Sequence, residues 1–167
     1  RLTTAFGIPV RLHWSFLALV GLYAMGSLVT GGFGSLLSVV VLGTALFTSV
    51  VLHELGHALA ARVFGLRTAH ITLYPFGGIA ALQGNPRKPS HELVIALAGP
   101  AVNLVLAVLA LAAWLVVPLD TLALIVGLNV VMGVFNLLPA FPMDGGRVFR
   151  AVLQPFLGYF RASRLAI

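Results

Sequence analysis

Cysteine is absent from the sequence, which excludes disulfides and thiolate metal sites, so any bound metal must use histidine and carboxylate. Charge is almost as scarce. Charged residues make up 8% of the chain, against roughly 25% in soluble domains, and hydrophobic residues 60%, against about 45–50%. That balance excludes an ordinary soluble domain, a soluble zinc peptidase included, and identifies a membrane protein. The 167 residues, at about 20 mostly apolar residues per crossing, allow a few spans in one domain, taken as residues 1–167, and no separate soluble domain. The net charge of +6 does not indicate nucleic acid, because basic residues in so apolar a chain mark the cytoplasmic ends of spans.

Four long apolar stretches predict four transmembrane helices, at about residues 12–30, 36–64, 91–117 and 121–139. Gly31-Gly32, the polar 65–90 segment and Pro118-Leu119-Asp120 separate them. The chain opens on Arg1, as expected of a trimmed or processed N-terminus; the stretch from Leu12 to Val29 is too long for a signal-peptide core and is read as a retained span. Gly65 is the expected stop of the second helix, Ser90 the expected N-cap of the third, and Glu92 lies near that helix's positive end.

With four spans, both termini and the 65–90 segment share one side of the membrane, and every Lys and Arg falls there: Arg1, Arg11, Arg62, Arg67, Arg87, Lys88, Arg147, Arg150, Arg161 and Arg164. The positive-inside rule makes that side cytoplasmic, in a multi-pass protein expected in a prokaryotic plasma membrane. Between the second and third spans, alternation over 68–74 and a turn at Gly77-Gly78 predict a short membrane-associated β-hairpin running to Gln83. The tail from Arg147 reads as an amphipathic surface helix with its four arginines on one face, kinked at Pro155.

The second span contains His53-Glu54-Leu55-Gly56-His57. Two histidines four apart sit one above the other on a helix face, so both imidazoles can reach one metal, with Glu54 offset toward the water. In zinc hydrolases such a carboxylate takes a proton from an activated water. Chance placement is expected only roughly 0.002 times in a chain of this composition. A Glu flanked by two His inside a span is also costly unless it is used.

A catalytic zinc needs a third protein ligand and one open position. Only four acidic residues exist: Glu54 is the candidate base, Glu92 belongs to the start of the third helix, and Asp120 lies on the far side from the basic loops. Asp144 is left, near the cytoplasmic end of the fourth span, where Pro142 halts the helix and Gly145-Gly146 let the carboxylate turn inward.

Four ordered motifs now carry a resemblance: His53-Glu-Leu-Gly-His57, Pro75-Phe-Gly-Gly78, Ala98-Gly-Pro-Ala-Val-Asn103, and Asn136-Leu-Leu-Pro-Ala-Phe-Pro-Met-Asp-Gly-Gly-Arg147. Over nearly its whole length the chain resembles the site-2 protease family of intramembrane zinc metalloproteases. Met143 stands where Leu is commoner. The resemblance implies one Zn²⁺ per chain on His53, His57 and Asp144, with Glu54 catalytic and Asn136 near the scissile peptide. It also implies transmembrane protein substrates, often trimmed beforehand. Many relatives carry further spans or a C-terminal regulatory domain, so the chain reads as a transmembrane core.

Asn103 is expected to bridge helices by hydrogen bonds, whereas Asn136 has a second reading as a donor to the substrate carbonyl or oxyanion. His13 and His70 read as interfacial or hairpin residues, and Gly56, Gly99 and Gly133 as sites of close helix approach. Two rivals remain. A non-haem iron enzyme can use two His and a carboxylate but needs no Glu wedged between them, and metal analysis separates the two. A pseudoprotease that binds membrane helices without cutting them usually lacks a ligand or base, and all four residues are present here.

Overall fold

The computed structural model describes residues 2–165 apart from Phe76, Arg87 and Phe141; the expectations that rest on Arg1, Arg87 and the two motif phenylalanines therefore lie outside the described residues. The described chain is mostly helical, with one four-stranded sheet. Helix α1, Trp14–Val63, includes both of the first two apolar stretches, with non-helical backbone at Gly32 (φ 67°, ψ −161°). That left-handed φ suits glycine, which has no Cβ to clash. Phe16 and Phe47, which would stand roughly 45 Å apart on one straight helix, meet with ring centroids 5.7 Å apart. The chain thus doubles back near Gly32, and α1 is two antiparallel arms. The second arm ends as expected at Gly65 (φ 77°), where the Leu66 and Gly65 N–H groups close onto the Ala61 and Arg62 carbonyls.

The expected hairpin is present as β3 (Arg67–Tyr74) antiparallel to β4 (Gly77–Gln83), but it is only half of the sheet. Thr3–Ala5 (β1) and Ile8–Leu12 (β2) form a second hairpin through Phe6 and Gly7, both at positive φ, and β2 lies parallel to β3. The first helix accordingly starts at Trp14 rather than Leu12, with the His13 side chain capping it by accepting the Ser15 N–H. Parallel strands need a crossover, and α1 supplies it. Ile8 and Val10 of β2 and Ile71 and Leu73 of β3, each pair two apart and so on one face, are buried against Leu55 and Ala58 of the second arm. The sheet is thereby fastened to the helix that carries both histidines.

Helix α2 (Pro89–Val116) begins with Lys88 at the N-cap and Pro89 in its first turn, so Ser90 is already inside and is not the cap. Proline's fixed φ favours that first position. Helix α3 (Asp120–Asn136) stops at Asn136, six residues before Pro142, because Leu138 precedes Pro139 and is kept out of helical geometry. Asp144 consequently does not end α3 but opens a new helix, α4 (Asp144–Leu157). Pro155 lies within α4, and the break before α5 (Tyr159–Leu165) comes at Gly158 (φ 77°). The four arginines do not share one solvated face: Arg150 turns inward to an ion pair with buried Glu92 of α2. Among the described residues, two helices, α1 and α2, are long and apolar enough to cross a bilayer, and α3 is a shorter apolar helix of 17 residues.

Candidate metal centre

His53 and His57 project from the same face of α1, one turn apart, as their spacing requires. Both are buried, at 3% and 4% exposure. The His53 Nδ1–H donates to Asn103 Oδ1 at 2.9 Å, and the His57 Nδ1–H donates to the Ile95 carbonyl at 2.7 Å. With each Nδ1 facing an acceptor, the Nε2 lone pairs are left to point elsewhere, and they converge: Nε2 to Nε2 is 3.1 Å. Asp144 brings Oδ2 to 3.2 Å from His53 Nε2 and 3.0 Å from His57 Nε2. Among the described residues, these three form the group able to hold a metal ion.

The fit to zinc can be judged from the edges of that triangle. Bonds of 2.0–2.1 Å in tetrahedral geometry put ligand atoms about 3.3 Å apart. The observed 3.0–3.2 Å needs only a slight opening. Two neutral imidazoles and one carboxylate suit Zn²⁺ with a fourth position left free. The histidine–carbonyl and histidine–amide bonds supply the outer shell that such sites use to fix ring orientation.

Two residues matter more here than sequence reasoning allowed. Asn103 does bridge helices, yet its partner is a ligand-bearing imidazole rather than another structural polar group. Gly99 does permit close approach of α2 to α1, and what lies against it is the imidazole pair: a Cβ there would collide with His57 Nε2 and Cε1 and His53 Nε2. Gly56 behaves as expected, with the Ala98 carbonyl 2.8 Å from where its Cβ would stand, while Gly133 has only ordinary contacts. The signal for Asn103 was its fixed offset from Gly99 in one motif, but which group it meets depends on how α2 packs against α1. Replacing Gly99 with Ala should weaken zinc binding at least about tenfold, because the rigid rings cannot yield as a flexible chain end would. Chelator competition on the purified variant checks this, and unchanged affinity would contradict it.

Glu54 is 8% exposed and borders a cavity of about 760 Å³, with His53 and Asn136 also on its wall. Its side chain rests against Gly78 of β4, where a Cβ would overlap it. β4 is the outer strand on that side, so its free edge faces this carboxylate. The remaining walls are apolar, including Phe16 and Val50 of α1 and Met132 and Phe135 of α3. Asn136 points one amide hydrogen at the Met132 carbonyl, 2.9 Å away, leaving its second hydrogen available. His13 and His70 stand away from the centre, in the α1 cap and in β3, and His91 stacks on Phe64 at 4.1 Å.

The profile of peptidase family M50 matches residues 41–119 and 115–165. A zinc metalloprotease of Methanocaldococcus jannaschii is 36% identical over 178 residues, covering 99% of this chain and 49% of that protein. Stage IV sporulation protein FB of Bacillus subtilis is 33% identical over 122 residues, covering 70% of this chain and 41% of its own length. The chain thus spans about half the length of the curated relatives it matches. Among solved structures, the site-2 protease from Methanocaldococcus jannaschii superposes with a TM-score of 0.77 at 37% identity, covering 99% of this chain and 76% of that one.

Proposed function

Because the chain belongs to peptidase family M50, we propose that it is the catalytic core of an intramembrane zinc metalloprotease, folded as one domain over residues 1–167. The observation that carries this reading is the meeting of His53 Nε2, His57 Nε2 and Asp144 Oδ2 beside Glu54 at the polar corner of an apolar cavity. His53, His57 and Asp144 hold one Zn²⁺. When bound, the ion would supply Lewis acidity that lowers the pKa of a water toward about 7.

The chain's own groups do the rest. Glu54 accepts the proton of the attacking water, held for that task by the fit against Gly78. Asn136 directs its free amide hydrogen at the substrate carbonyl, where negative charge develops. A transmembrane helix hides its carbonyls in its own hydrogen bonds, so it must unwind locally to be cut. The free edge of β4 offers the unwound segment a partner strand. In the antiparallel register with β3, alternate residues of β4 turn their N–H groups toward that edge. Gly78→Ala should therefore displace the Glu54 carboxylate and slow cleavage at least about tenfold while zinc content holds; equal rates at equal zinc would contradict this placement of the base.

The two arms of α1 with α2 and α3 make four crossings, with the hairpin of β3 and β4 on the cytoplasmic side and dipping toward the bilayer. From His53 to Arg62 is about 13–14 Å of helix, so the metal lies below the cytoplasmic surface and water reaches it by the polar corner of the cavity. Cysteine-accessibility labelling should find Gly31→Cys and Asp120→Cys reactive only from the outer face. Labelling of either from the cytoplasm would overturn the topology. The enzymatic reading is tested by hydrolysis of a reconstituted single-span protein by zinc-loaded wild type, with Glu54→Gln as its control.

A further inference from the structure

The metal centre is assembled from three helices that must be held in register, with His53 and His57 standing on α1. α2 carries the groups that orient the imidazoles, Ile95 for His57 and Asn103 for His53. α4 carries Asp144 as its first residue. How α4 sits on α2 therefore sets where the carboxylate stands relative to the rings. At its start, Gly145 lies so close to the Leu137 and Leu138 carbonyls that no Cβ would fit. That contact permits a near approach but supplies no attraction and no fixed rotation. The outward stripe of α4, Phe149, Val152 and Phe156, is exposed and apolar and offers no directional contact.

Direction comes from Arg150. Its guanidinium pairs with Glu92, which is 5% exposed and lies one turn before Ile95 on α2. The Tyr159 ring of α5 lies over the same guanidinium, 5.5 Å from its centroid. A buried ion pair is a poor source of net stability, because desolvation cancels most of the attraction, but it tolerates little change of geometry. Placed between the helix that aims the histidines and the helix that presents the third ligand, such a pair fixes one against the other.

We infer that Glu92 and Arg150, backed by Tyr159, are positioning residues that hold Asp144 on the metal. This rests on the ligand assignment proposed above. In the full chain, Arg150→Met should weaken zinc binding by about tenfold or more in chelator competition. It should lower kcat while KM stays within about twofold, since the cavity walls are untouched. Arg150→Lys, which keeps the charge, should recover most of the affinity. In an Asp144→Ala background, Arg150→Met should cost nothing further, because the residue through which it acts is gone.

An equal loss with Asp144 present and with Asp144→Ala would mean that the pair acts on the fold as a whole, and no loss with Asp144 present would mean that it does not act at all; either overturns the inference. If Asp144→Ala by itself leaves zinc affinity intact, the ligand assignment has failed instead, and the inference falls with it. Should Arg150→Met not fold, Glu92→Gln removes the charge with little change of shape and must show the same dependence on Asp144.

Discussion

Glu54→Gln should abolish turnover while leaving zinc in place. The substitution preserves size and hydrogen bonding, and the side chain can still sit between β4 and the metal centre, but an amide cannot take a proton from water. Glu54 is not one of the converging ligand atoms, so metal retention should not depend on it. The loss should reach at least the roughly 10²–10⁴ attributed to general acid–base catalysis. The comparison is made at equal zinc loading, following a reconstituted single-span substrate. Equal cutting by wild type and variant would place the base elsewhere or reveal a contaminant. If wild type, fully loaded, cuts none of several candidate spans, the pseudoprotease reading takes precedence.

Removing a ligand should have the other large effect. His53→Ala or Asp144→Ala leaves two donors of three, and the loss of affinity should exceed the 10–100-fold typical of losing an outer-shell partner. Purified wild type should carry about one zinc per chain and either variant far less at the same free zinc, with activity falling in proportion. Elemental analysis checks both the identity and the amount, and a preference for iron over zinc would revive the non-haem iron alternative. Full zinc affinity in Asp144→Ala would remove Asp144 from the centre.

The chemistry was far more legible in the sequence than the architecture around it. His53, Glu54 and His57 announce themselves because helical spacing alone brings both imidazoles to one face and leaves Glu54 offset beside them. Asp144 could be reached by elimination, since the chain has so few acids. Its setting could not: Pro139 ends α3 early and the carboxylate opens α4, which follows from the turn chemistry of seven residues rather than from hydropathy. The hairpin of β3 and β4 was visible in its alternation, whereas β1 is too short to carry a period and the five residues of β2, in which Ile8, Val10 and Leu12 alternate with Pro9 and Arg11, run straight into the first apolar stretch. Their place beside β3 is a long-range parallel pairing that no local pattern encodes. Glu92, read from its position as a helix-start acid, gained its partner Arg150 from 58 residues away only through packing. Gly99 was legible as a site of close helix approach, but nothing local says that the neighbouring helix meets it with its imidazole nitrogens.

One measurement bears most directly on the proposal that this is a zinc-dependent protease acting inside the membrane. Purified protein and a single-span substrate are reconstituted together, and mass spectrometry of the products locates the cut. The proposal predicts a new terminus within the apolar span, formed by zinc-loaded wild type, missing after chelation, restored by added zinc, and missing with Glu54→Gln. A cut confined to water-exposed flanks, or one that persists with Glu54→Gln and without zinc, would contradict it.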